Sequence, residues 1–125
     1  ILTPNESEAE LLTGIKVESE KEAAAAADAL MAKGIETVIV TMGAKGAFVV
    51  TADSRELVGG FSVKAVDATA AGDVFNGTLA VAMAEGKALK EAVKFANAAA
   101  ALSVTKLGAQ PSAPTRKEIE KFLSS

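Results

Sequence analysis

The sequence predicts an α/β fold, a three-layer sandwich whose mostly parallel sheet carries one antiparallel hairpin. Three observations predict it. Thr37-Val38-Ile39-Val40-Thr41 is a β-branched, near-continuous apolar run, the pattern of a strand buried on both faces of a parallel sheet. A helical segment precedes it, Glu20–Lys33, with Ala and Leu30 at helical spacing and Gly34 as its stop. Helix, glycine and buried strand make the αβ step of a doubly wound fold. Two further extended runs, Ala47–Thr51 and Arg55–Val58, flank the turn Ala52-Asp53-Ser54 and read as the hairpin.

Composition narrows the chemistry. At 125 residues the chain is one domain by size. Half of it is apolar and only 4% aromatic, so its core is Ala, Val, Leu and Ile packed closely. The net charge of −3, with signs mixed along the chain, argues against a nucleic-acid or membrane-surface partner, which needs clustered Lys and Arg. No apolar run approaches the ~18–20 residues of a membrane span. The chain has no cysteine and no histidine, so disulfides, thiolate metal sites and imidazole catalysis are excluded and zinc is disfavoured. The start of the chain lacks a basic segment before an apolar one, and a cytoplasmic protein is expected.

In chain order, Ile1-Leu2-Thr3 reads as the end of a buried strand, punctuated by Pro4 and Asn5. Glu6–Thr13 is a short helix closed by Gly14, and Asn5-Glu6-Ser7-Glu8 has capping-box spacing, with Asn5 as N-cap and Glu8 reaching back to its amide. Ser19 caps the next helix with Glu22 three residues on. Met42-Gly43-Ala44-Lys45-Gly46 joins two strands. It is either a plain tight turn or a glycine-spaced turn at the carboxyl end of a strand, where open α/β sheets bind nucleotides. It is not a P-loop, because Gly-x-x-x-x-Gly-Lys-Ser/Thr is absent. Phe61–Val66 is a further extended segment.

The stretch Asp67-Ala68-Thr69-Ala70-Ala71-Gly72-Asp73-Val74-Phe75-Asn76-Gly77 is a run of small residues that opens an apolar helix. Helix-start amides have no intrahelical partner and sit at the positive end of the dipole. Ala70, Ala71 and Gly72 leave them accessible, so the turn suits phosphate or another anion. Asp73 reads either as a helix-capping acid or as a general base beside an anion hole, and the two are compatible. Val74, Phe75, Leu79, Ala82 and Met83 line one face of this helix, which Gly86 stops. Leu89–Val104 is a helix whose alanines, from Ala96 to Ala101, imply a closely packed partner helix, with Asn97 as a helix-surface amide. Lys106–Ser112 is a loop shaped by Gly108 and Pro111, and Thr115–Leu123 is an amphipathic last helix.

Asp67-x-Thr69-Ala70-Ala71-Gly72-Asp73 resembles the C-terminal signature of the PfkB carbohydrate kinases. Thr41, Gly43 and Gly46 match the family's Thr-x-Gly-x-x-Gly nucleotide turn, and Asn5-x-x-Glu8 its Asn-x-x-Glu. Ala68 and Thr78 depart from the usual residues without touching the catalytic positions, and the Gly108-Ala109-Gln110-Pro111-Ser112 loop is similar to that of the ribokinase branch. The resemblance implies a ribokinase-like (Rossmann-like) sandwich and an ATP-dependent sugar kinase that phosphorylates the primary hydroxyl of ribose. Asp73 would be the base acting on the sugar, and the amides of Ala70, Ala71, Gly72 and Asp73 the anion hole. Asn5, Thr41, Met42, Gly43, Ala44, Lys45, Gly46, Gly72 and Asn97 would meet ATP, Asn97 beside the adenine. Glu8 would organise Mg2+ through water. Asp67, Thr69, Ser103, Lys106, Gly108 and Ser112 would give K+ an all-oxygen cage, as a hard cation requires.

The resemblance covers the C-terminal part of a longer family chain, so residues 1–125 are expected to be its nucleotide-binding half, without the sugar-binding half and lid. A cut sheet edge favours association into a homodimer. Two alternatives stay open: another sugar or nucleoside specificity in the same family, of fructokinase or adenosine kinase type, and a non-catalytic, engineered half-domain that self-associates.

Overall fold

A computed structural model describes residues 1–61, 71–104 and 115–124. The chain divides into two compact units, Ile1–Val58 and Gly59–Ser125.

In the first unit, helix α1 (Glu6–Thr13) and helix α2 (Glu20–Met31) precede a three-stranded sheet of β1 (Val38–Thr41), β2 (Ala47–Val50) and β3 (Arg55–Val58). The capping box forms as expected: Asn5 Oδ1 accepts from the Glu8 amide at 2.7 Å, and Glu8 Oε1 from the Asn5 amide at 2.9 Å. Gly14 takes a left-handed φ of 75° and donates to the Glu10 carbonyl, ending α1. The cap of α2 differs from expectation. Ser19 occupies the N-cap with extended backbone, yet its side chain caps no amide. Its hydroxyl donates instead to Glu22 Oε1 at 3.3 Å, and that same oxygen accepts from the Glu18 amide at 2.8 Å. The Glu22 carboxylate has reached one residue further back than a capping box requires, drawing the hydroxyl with it. Helix α2 stops at Met31, two residues short of Lys33, in a tight turn where the Lys33 amide donates to Leu30 and Gly34 to Met31.

Strand β1 is buried on both faces, with Val38, Ile39 and Val40 all at 0% exposure, as its apolar run predicts. The named strands pair antiparallel in the order β1-β2-β3, with Val40 opposite Phe48 and Phe48 opposite Leu57. The parallel component is smaller than the sequence suggests. Among the described residues it is two bridges, Leu2 with Val38 and Asn5 with Thr41, joined to β1 across α1 and α2. The reason is connection length. The few residues of Met42–Gly46 and of Thr51–Ser54 return the chain only antiparallel, whereas a parallel neighbour needs a long crossover. Helix α2 packs on β1 and β2, α1 packs on α2, and Ala23, Ala26, Ala27 and Leu30 close with Val38, Val40, Phe48 and Val50 into one core. Alanine at four buried helix positions lets the helices approach closely, and the β-branched strand residues fill the remainder.

In the second unit, helix α3 (Ala71–Ala84) turns back into α4 (Leu89–Val104), followed by α5 (Arg116–Leu123). Gly86, at φ 89°, ends α3: its amide donates to Met83 and the Lys87 amide to Ala82, a Schellman pair that satisfies the last carbonyls. The Lys87 ammonium then lies 5.3 Å from the centre of the Phe95 ring. The expected face of α3 is found, with Phe75, Leu79 and Ala82 buried against α4. Ala96, Ala98 and Ala99 at 0% exposure show why α4 is alanine-rich: no larger side chain leaves room for a second helix. Thr115 caps α5 through a capping box with Glu118. Ile119 is buried with Phe95, Ala98 and Ala99, and Phe122 meets Phe61 edge-on at 5.0 Å. Arg116 pairs with Glu85. The strand expected at Phe61–Val66 lies, beyond Phe61, outside the described residues.

Candidate functional site

The glycine turn grows out of the end of β1. A single 3-10 turn, Gly43–Lys45, follows Thr41 and Met42, with Gly43 at φ 58° and Gly46 at φ 105°, ψ −146°. Both values are left-handed-side conformations that a side chain resists, which is why the two glycines stand where they do. The Met42 amide donates to Gly46 at 2.8 Å, Lys45 to Met42 at 3.2 Å and Gly46 to Gly43 at 3.0 Å. Among the described residues, nothing accepts from the Gly43 amide. It opens the 3-10 turn, as the first amides of a helix stay open, and is a donor suited to an anion.

Asn5 and Glu8 stand beside this turn. The Thr41 amide donates to the Pro4 carbonyl at 2.9 Å and Asn5 bridges Thr41, so the start of α1 and the end of β1 are locked together. Capping uses Asn5 Oδ1 and Glu8 Oε1, both on exposed side chains. Asn5 Nδ2 and Glu8 Oε2 remain for other work, so the structural role does not compete with a ligand role. Thr41, Met42, Gly43, Lys45 and Gly46 thus gather with Asn5 and Glu8 in one place within the first unit.

In the second unit, Ala71, Gly72 and Asp73 are the first three residues of α3, where helix amides have no intrahelical acceptor. Gly72 and Asp73 are exposed. A Cβ built on Gly72 meets nothing within 4 Å among the described residues. No described Lys or Arg pairs with Asp73, and its carboxylate sits at the favourable end of the helix dipole. Asn97 is a correction. It is 7% exposed, and its Nδ2 lies 3.4 Å from the Gly59 carbonyl, so it is a buried tie and not a helix-surface amide. Residues 96, 98 and 99 are buried too, so the packed arc of α4 is wide enough to take in position 97. Ser103, 1% exposed, donates its hydroxyl to Ala100 at 2.7 Å. Asp67, Thr69, Ala70, Lys106, Gly108 and Ser112 lie outside the described residues.

Lys45 was legible as part of the turn, but its partner was not. Lys45 Nζ donates to the Glu18 carbonyl at 3.1 Å, 27 residues away, a contact without a local signal in the sequence. A groove lined by Asp28, Met31, Thr51, Asp53 and Arg55 lies at the hairpin end of β2, away from the glycine turn, and the Asp28–Arg55 ion pair crosses it.

The three-stranded sheet with helices packed on it, and the strand-end glycine turn it carries, place the chain in the α/β class. The chain belongs to the pfkB family carbohydrate kinases, whose model matches residues 1–116. It is 54% identical over 123 residues to the ribokinase of Haemophilus influenzae, covering 98% of this chain and 40% of that protein. Among solved structures, the ribokinase of Thermotoga maritima matches 99% of this chain and 42% of its own at 49% identity, with a TM-score of 0.85. The Arabidopsis thaliana ribokinase complexed with ribose and ATP matches 99% of this chain and 40% of its own at 37% identity, with a TM-score of 0.91. The chain therefore spans about 40% of the length of these relatives. No helix among the described residues is long and apolar enough to cross a membrane.

Proposed function

We propose that residues 1–125 form the nucleotide-binding part of an ATP-dependent sugar kinase of the ribokinase type. The observation that carries this reading is the glycine turn with its open Gly43 amide, held at the end of β1 beside Asn5 and Glu8. The turn receives phosphates of ATP, and the amides of Ala70, Ala71, Gly72 and Asp73 serve as the anion hole for the transferring group. The Asp73 carboxylate accepts the proton of the sugar's primary hydroxyl. The freed oxygen pair attacks the γ-phosphorus, the bond to the β-phosphate bridging oxygen breaks, and ADP leaves with that electron pair. The helix-start amides stabilise the charge on the phosphoryl oxygens in flight.

Glu8, with one oxygen left over from capping, suits an outer-sphere role toward Mg2+, which keeps several of its waters. Such a cation neutralises phosphate charge when bound. Ser103 contributes a helix-end carbonyl to a K+ cage with Asp67, Thr69, Lys106, Gly108 and Ser112, shaping the anion turn without touching substrate. Asn97, tied to Gly59, positions the backbone near the adenine.

The sugar is ribose on the strength of the 54% identity to a ribokinase. The residues that choose it belong to the part of the relatives that this chain does not span. Alone, the 125 residues bind ATP weakly or not at all, phosphorylate no sugar and associate through open sheet edge. A substrate panel on the complete kinase carrying these residues, with ribose, deoxyribose, fructose and adenosine, tests the assignment. Ribose turnover supports it, and preference for another acceptor moves the protein to another branch. Phosphate transfer by the 125-residue chain alone contradicts the division of labour.

A further inference from the structure

The segment between α1 and α2 has no regular structure, yet one of its residues is held from three sides. The Glu18 amide donates to Glu22 Oε1 at 2.8 Å, its carboxylate bridges Lys16 Nζ at 3.0 Å, and its carbonyl accepts from Lys45 Nζ at 3.1 Å. Glu18 is therefore an anchor more than a chance acceptor. Lys16 is drawn to it strongly enough that the Glu18 carboxylate raises the Lys16 pKa. With that carboxylate engaged by Lys16, the tie from Lys45 is to the Glu18 carbonyl.

We propose that Lys45 is a positioning residue: by tying the end of the 3-10 turn to the anchored Glu18 carbonyl, it holds the Gly43 amide in the arrangement that receives the nucleotide's phosphates. This rests on the nucleotide reading of the turn. The turn needs such a tie because both its glycines, Gly43 and Gly46, allow many other backbone conformations, and freezing them costs entropy that a bound ligand otherwise has to supply. An exposed charge-assisted hydrogen bond is modest, so the effect is a matter of several-fold and not of decades.

The experiment uses the complete kinase carrying these residues with three variants, Lys45→Met, Lys45→Arg and Glu22→Ala, the last loosening the anchor without touching the turn. Amide hydrogen exchange at residues 43–46 is measured without nucleotide, and Mg-ATP affinity by titration. The expected result is exchange about fivefold faster and affinity about three- to tenfold weaker in Lys45→Met. Lys45→Arg restores both, Glu22→Ala moves both in the same direction by less, and the thermal midpoint of the two Lys45 variants stays put. Weaker ATP binding with unchanged exchange overturns the proposal, because Lys45 then acts on the phosphates directly. Faster exchange with unchanged affinity overturns it as well. If the unaltered kinase gives no ATP-dependent signal, the nucleotide reading falls and takes the proposal with it. If that kinase binds ATP and Lys45→Met binds it equally, the positioning role alone falls.

Discussion

The glycine turn after β1 and the small-residue start of α3 both offer main-chain donors, and they do so by opposite means. At the first, the backbone is forced: Gly43 and Gly46 adopt positive φ, and the open amide comes from a strained 3-10 turn bolted to α1 through Asn5 and Thr41. At the second, the backbone is an ordinary α-helix and the donors are open simply because a helix begins there. Glycine means different things in the two places. In the first it supplies a conformation; in the second it supplies room, since Gly72 carries no positive φ and a Cβ there meets nothing within 4 Å among the described residues. A small residue in a motif is therefore not one signal but two, and substitution by alanine separates them.

The largest expected effect lies at the helix start. Asp73→Asn in the complete kinase lowers kcat at least about 100-fold, roughly 3 kcal/mol in the barrier, while ATP binding and stability stay near normal. Near-normal turnover in a steady-state assay removes Asp73 from the role of base. Next comes the forced turn: Gly46→Ala costs about 1–3 kcal/mol by denaturant unfolding, because φ 105°, ψ −146° is glycine territory. A loss below a few tenths of that range means the turn relaxes without cost and its shape is not imposed.

Asn5 sharpens the comparison, since it serves the fold and the site together. Asn5→Ala costs about 1 kcal/mol through the lost cap, and Asn5→Ser recovers most of that stability because serine caps nearly as well. If Asn5 Nδ2 meets nucleotide, serine does not recover ATP affinity; recovery of both reduces Asn5 to a cap. Gly72→Ala is expected to raise stability by about 0.5–1 kcal/mol, since alanine is the better helix former, and yet to weaken ATP use. Stabilisation without any effect on ATP shows that the room at Gly72 serves no ligand.

The smallest effect is electrostatic. The Lys16 pKa is raised, chiefly by its hydrogen bond to Glu18. A raised folded pKa stabilises fully below the unfolded value of 10.5 and is lost as pH rises through the folded value. Lys16→Met should therefore lower stability slightly near neutrality and match the unaltered chain at the alkaline end, which thermal melts from pH 7 to 11.5 detect.

What the sequence disclosed follows the distance over which each interaction acts. The Asn5–Glu8 box spans three residues and the Gly14 and Gly86 stops act in place, so all were readable. The Ser19 cap misled because Glu22 had a second amide within reach, at Glu18, and spacing does not rank two acceptable donors. Asn97 was misjudged because helix periodicity gives a face but not the width of the buried arc, which the alanines of α4 make unusually broad. Lys45 and Glu18 meet only once α2 has folded back on β1. Short connections decided the antiparallel pairing of β1, β2 and β3, and the parallel character survives where a long crossover allows it, at Leu2 and Asn5. The family signature at Asp67–Asp73 was readable residue by residue, although residues 67–70 and the loop at 106–112 fall outside the described residues.

The most direct measurement is an amide-resolved NMR titration of the complete kinase carrying these residues with Mg-ATP. The account predicts that the largest shifts fall on Gly43 and on Ala71, Gly72 and Asp73, the amides left open by a glycine-bent turn and by a helix start. Shifts concentrated instead at the hairpin groove of Asp28, Thr51 and Arg55, with those four amides silent at saturation, contradict it.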